Sequence, residues 1–227
     1  MIRRYVFVAA GILLLSLADC AQQSWESAMT AGQQAMQRGR YVDAERIFSA
    51  AVRKAEDQFG PSHRHVGLAL SGEAQALAAQ GKYVEAEPLY TRALKIYQDA
   101  HGETHADVAA TLNNLGVLHR MHGQYAQAEP LLTRALAIKE RLYGPDHPDV
   151  ALALHNLGLL FAAQGQAEKA EPLYRRALAI REKALTPGHP DIVKSLEELA
   201  RVLRKLNQEG EAAALDARAN ELRSKRS

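Results

Sequence analysis

From Val108 to Leu142 apolar residues return every three or four positions. Leu112, Leu115 and Leu118 form one stripe, and Ala128, Leu131, Leu132, Ala135 and Leu136 form a second. That interval is the repeat of one α-helical face, so the segment predicts two amphipathic helices with a break at Gly123. A glycine ends a helix there at little cost because it reaches a positive φ without a Cβ clash. The layout then recurs every 42 residues: turn glycines stand at Gly39, Gly81, Gly123 and Gly165, and Asn207 takes that place in the fifth copy. Small residues recur as Gly32, Ala74, Gly116, Gly158 and Ala200 in the first helix, and as Ala44, Ala86, Ala128, Ala170 and Ala212 in the second. A third series is Ala51, Ala93, Ala135, Ala177 and Ala219. Bulkier side chains there would hold neighbouring backbones apart, so these positions predict close helix crossings. The fold class expected is all-α, an α-solenoid of tandem antiparallel helical hairpins.

The connectors carry the residues that look most like chemistry. "YGPDHPDV" (143–150) has counterparts that set His63, His105, His147 and His189 apart by the same 42 residues. A catalytic or metal loop is rarely written four times, and repetition at the helical period marks a connector. Gly144 and Pro145 are expected to stop the preceding helix. Asp107, Asp149 and Asp191 are expected to cap the next one through their carboxylates, with the histidines packing the loop. Pro88, Pro130 and Pro172 are expected in the first turn of the second helix, where no intrahelical bond is lost. Each copy provides one loop histidine without a close thiolate or second imidazole, so no metal and no other cofactor is expected, although His101/His105 and His119/His122 do stand at i, i+4 and i, i+3.

The order of small residue, turn glycine, aromatic or alanine, and paired alanines resembles the tetratricopeptide repeat. With "NNLG", "GQYAQAEPLLTRALAI" and "YGPDHPDV" it resembles the kinesin light chain type, whose repeats are 42 residues long. The resemblance spans about residues 24–224, with repeats starting near 24, 66, 108, 150 and 192 and a tail at 225–227. It implies a groove lined by the first helix of each unit, suited to an extended peptide or a partner helix. Carried onto this chain, the groove positions are Asn113, Asn114, Arg120, His155, Asn156, Lys194, Glu198, Arg201, Arg204 and Lys205. The resemblance implies that Asn114 and Asn156 hold a ligand's backbone, since an amide both donates and accepts. Their counterparts are Thr30 and Gly72, which places the expected contact zone in the three C-terminal repeats. Leu68, Leu152, Leu159, Ala78, Ala162 and Ala163 would make the rest of the groove apolar. The cations of the fifth repeat read either as a polar end cap or as a clamp for a peptide with acidic residues or a free C-terminus.

Composition narrows the function. With 47% hydrophobic and 24% charged residues the chain can bury a core, and its net charge of +2 argues against a nucleic-acid partner. There is no partnered nucleophile, phosphate-cradling glycine loop or protected carboxylate pair. A non-enzymatic protein-interaction scaffold is therefore expected. The alternatives are a structural homo-oligomeric subunit or an accessory subunit of an envelope enzyme or secretion complex.

The first residues add a location. Arg3 and Arg4 precede an apolar run from Tyr5 to Ala18, the layout of a secretory signal, and the run is short of the ~20 residues of a spanning helix. "LADC" (17–20) resembles a bacterial lipobox, with Asp19 where glycine or alanine usually stands. Cleavage after Ala18 is the other route. Residues 1–19 are read as a signal peptide and 20–23 as a linker. The chain is expected to be exported, either periplasmic or anchored in the bacterial outer membrane through lipidated Cys20. Cys20 is the sole cysteine, so no disulfide is expected in the chain.

Overall fold

The computed structural model describes residues 25–225. The expected signal segment, the linker with Cys20, and residues 226–227 lie outside the described residues. Helices follow in the order α1 (25–37), α2 (Tyr41–Phe59), α3 (Arg64–Ala79), α4 (Tyr83–His101) and α5 (Ala106–Met121), then α6 (Tyr125–Tyr143), α7 (Pro148–Ala163), α8 (Ala167–Ala184), α9 (Pro190–Lys205) and α10 (Glu209–Ser224). Among the described residues there is no strand, and no helix is long and apolar enough to cross a membrane. The chain forms two compact units, one up to Gly102 and one from Glu103 onward. Each is a stack of antiparallel hairpins: consecutive helices pack side by side from α2 to α4 in the first and from α5 to α10 in the second.

The small-residue series does what its spacing predicts. A Cβ on Gly32 would come within 2.6 Å of Phe48, one on Gly116 within 2.7 Å of Leu132, and one on Gly158 within 2.8 Å of Tyr174. Phe48, Tyr90, Leu132 and Tyr174 are themselves 42 residues apart and at most 3% exposed. The fifth copy places Asp216 at that position, paired with Arg204 across the last hairpin. Among the described residues no helix packs beyond α10, and the half-buried Asp216 carboxylate stays partly solvated where an aromatic ring would be left facing water. Arg92–Glu56, Arg176–Glu140 and Arg218–Glu182 pair second helices of successive repeats. The turn glycines have φ between 70° and 79°, and Asn207 reaches 60°.

Two expectations about the connectors are corrected. Histidine, not aspartate, caps α3, α5, α7 and α9. Nδ1 of His63, His105, His147 and His189 accepts from the backbone N–H of His65, Asp107, Asp149 and Asp191, at 3.1–3.2 Å. The aspartates sit inside the first turn, where their charge still suits the helix N-terminus. An acceptor one residue before the helix begins is what a cap requires, and an unprotonated imidazole nitrogen supplies it. The prolines are the second correction. Pro88, Pro130 and Pro172 are the sixth residue of α4, α6 and α8, so each removes one intrahelical bond. The carbonyls released belong to the exposed residues Val84, Ala126 and Glu168, where water can take the place of the lost donor.

His147→Ala should cost about 1 kcal/mol in urea unfolding, the usual worth of a helix cap, and His147→Asn should recover most of it. His147 also stacks on Tyr143, with ring centroids 4.7 Å apart. If asparagine recovered nothing, the stacking rather than the cap would hold the loop.

Candidate peptide-binding groove

Within the second unit the first helices α5, α7 and α9 present one residue stripe each, at helical spacing. On α7 it consists of Leu152, Asn156, Leu159 and Ala163, all exposed or half-buried. One repeat earlier it is Asn114, Val117 and Met121, and one repeat later Lys194, Glu198, Arg201 and Lys205. The surface thus runs from amide and aliphatic groups to charged ones. A cleft of ≈ 520 Å³ is floored by Leu159, Ala162, Ala163, Ala167 and Val202 and rimmed by Arg120, Arg201, Lys205 and Glu168.

The expected site residues separate by what they face. Arg120, Arg201 and Lys205 come together on the cleft. Asn156 Nδ2 donates to Asn113 Oδ1 at 2.9 Å, and Asn113 Nδ2 lies 3.5 Å from Asn114 Oδ1. This chain ties α7 to α5 and leaves Asn156 Oδ1 and Asn114 Nδ2, one acceptor and one donor, for a peptide backbone. Asn113 and His155, at 6% and 2% exposure, lie beneath the surface. Arg204 points away, to Asp216 and Glu209 of α10, and Glu197 on the same face pairs with Arg223.

Thr30 and Gly72, the counterparts of the two asparagines, are unsuited to ligand binding for local reasons. Thr30 Oγ1 donates to the carbonyl of Glu26. At Gly72 the Phe48 ring stands 2.7 Å from where a Cβ would be.

Electrostatics follow from which cations lack partners. Arg120, Lys194 and Lys205 have no carboxylate within 4 Å among the described residues, while Arg201 pairs with Glu198. Burial, reinforced by Arg181, Lys194, Arg120 and Arg201, pushes the His155 imidazole down to about 3, so it is neutral. Burial raises the Tyr174 hydroxyl to about 12 despite Arg201 and Arg120 nearby. The residues that sequence reasoning missed are Val117, Met121, Ala167, Glu168 and Val202. Glu168 stands where other copies have Val84 and Ala126, so periodicity offered no hint of it.

The family model for the tetratricopeptide repeat matches residues 25–99, 65–141, 123–183 and 149–225. No curated protein sequence matches the chain. Among solved structures it is similar to a kinesin light chain with nearly identical TPR-like repeats from Podosopora anserina, at 24% identity and a TM-score of 0.74 over 91% of this chain and 97% of that one. It is similar to BtubC (BKLC) from P. vanneervenii, at 24% identity and a TM-score of 0.75 over 91% and 89% of the two chains. It is also similar to pilF of Pseudomonas aeruginosa, at 21% identity and a TM-score of 0.64 over 88% and 78%. These likenesses concern the fold. With five copies of the small-residue pattern, helical hairpins throughout the described residues and the family model matched from residue 25 to 225, the chain belongs to the tetratricopeptide repeat family.

Proposed function

We propose that the chain is a non-enzymatic scaffold of the bacterial cell envelope whose second unit holds a protein partner by an extended acidic segment or a free C-terminus. Tetratricopeptide repeats generally serve as protein-interaction scaffolds, and the groove of the second unit has the chemistry for that use. The observation that carries the reading is the gathering of Arg120, Arg201 and Lys205 around an apolar cleft, with Arg120 and Lys205 lacking a carboxylate partner among the described residues. An apolar side chain of the ligand fits the floor, its carboxylates meet the rim, and Asn114 and Asn156 take its backbone. The leader supports the location: basic pair, short apolar run, then Cys20, through which the chain would be exported as a periplasmic or lipid-anchored protein.

Capture from an envelope extract tests it. Arg120→Glu with Lys205→Glu should reduce retention of the partner on the order of tenfold and flatten its salt dependence. Arg204→Glu should leave capture unchanged, because that side chain belongs to the α9–α10 hairpin. Equal retention by the double reversal and the unaltered protein would defeat the acidic-ligand reading.

A further inference from the structure

Glu198 occupies the position that Asn114 and Asn156 hold in the two preceding repeats. Where those copies offer a neutral amide, the last one places a carboxylate on the cationic stripe of α9, between Lys194 and Arg201. Its side chain is only 14% exposed and is ion-paired with Arg201, whose own side chain remains 61% exposed. Arg201 in turn lines the cleft alongside Arg120 and Lys205.

We infer that Glu198 is a built-in competitor for the groove's anion site: its carboxylate holds the Arg201 guanidinium, and an acidic ligand binds there by displacing it. This rests on the acidic-ligand reading of the groove and adds how that groove selects. A carboxylate tethered one helical turn from its guanidinium acts at an effective concentration in the millimolar range or above, so a lone carboxylate in solution competes poorly. A ligand wins only by adding contacts that Glu198 cannot make, to Arg120, to Lys205 and to the apolar floor. The pair therefore rejects simple carboxylates and favours a segment carrying several acidic groups beside an apolar residue. Displacement leaves no charge stranded, because Glu198 lies one turn from Lys194, which has no carboxylate within 4 Å among the described residues.

The probe is a fluorescein-labelled hexapeptide of alternating leucine and glutamate with a free C-terminus, followed by fluorescence polarisation against the full chain. Glu198→Gln should tighten binding about three- to thirtyfold and steepen the salt dependence, since the freed guanidinium adds a charge-assisted contact. Glu198→Asn, the residue found at this position in the two preceding repeats, should do the same and guards against a folding defect of the first variant. In an Arg201→Ala background the glutamine substitution should change affinity less than twofold. Glu168→Gln, which removes the carboxylate on the cleft's rim, should gain less than Glu198→Gln, because only general repulsion is relieved. Equal affinity of Glu198→Gln and the unaltered chain would overturn the inference and leave the groove reading standing. Gains that persist without Arg201 would also overturn it. Absence of binding by every form at millimolar probe would overturn both.

Discussion

Tyr174→Ala is expected to destabilise the second unit by about 3–5 kcal/mol, the cost of emptying a large aromatic site in a packed core. Tyr174 is 0% exposed and belongs to the cluster formed with Leu157, Leu160, Leu196 and Leu199. Gly158 lies so close to its ring that no Cβ could fit between them, so the two helices of that hairpin are spaced by this side chain. Collapse around the cavity is hindered because α7 and α8 are already in contact. Tyr174→Phe is expected to be neutral or stabilising, since its hydroxyl has no hydrogen-bond partner among the described residues. Urea unfolding followed by helical circular dichroism reads both. A loss above about 1 kcal/mol for the phenylalanine variant would show that the hydroxyl makes a stabilising bond.

The second large effect is acid sensitivity. His155 is held at about 3 by burial and by Arg181, Lys194, Arg120 and Arg201, against an ordinary value of 6.5 in the unfolded chain. The folded protein therefore disfavours the proton, and the sign follows from linkage. Stability from this group is complete above pH 6.5 and is lost as pH falls from 6.5 toward 3, at about 1.4 kcal/mol per pH unit. His155→Asn, which copies the residue at the same position one repeat earlier, removes that proton. Between pH 7 and pH 4.5 the unaltered chain should lose about 2–3 kcal/mol more than the asparagine variant, with carboxylate titration common to both. Parallel pH profiles for the two proteins would mean that His155 is solvated enough to titrate normally.

The 42-residue period carried most of the fold. Close crossings at Gly116, Gly158, Ala128 and Ala135 were legible because each requires a small residue, and a requirement imposed in every copy appears as repetition. At the start of α7, His147 and Asp149 both carry a side-chain acceptor within three residues, so two caps read as equally suited. Which of them stands one place before the helix depends on where the φ/ψ angles turn helical, and composition leaves that open. Pro130 was misplaced for the same reason: the second helix begins at Tyr125, earlier than an argument from lost bonds alone suggests.

Groove chemistry divides along the same line. That the C-terminal repeats hold amides and cations on their first helices followed from residue identities at equivalent positions. Gly72 and Thr30 already marked the first repeats as different, though the Phe48 ring against Gly72 appears only in the packed chain. Arg201 and Arg204 read alike in the sequence, three residues apart on one helix. Their separation, with Arg201 on the cleft and Arg204 on Asp216, was decided by where α10 lies against α9. The burial of Asn113 and His155 is likewise a product of tertiary packing, whereas the pairing of Arg201 with Glu198 is a local contact one helical turn apart. A periodic sequence specifies which face of each helix is apolar, because that face must leave water. Which polar side chains meet depends on distances between helices, and these exist only after the hairpins have stacked.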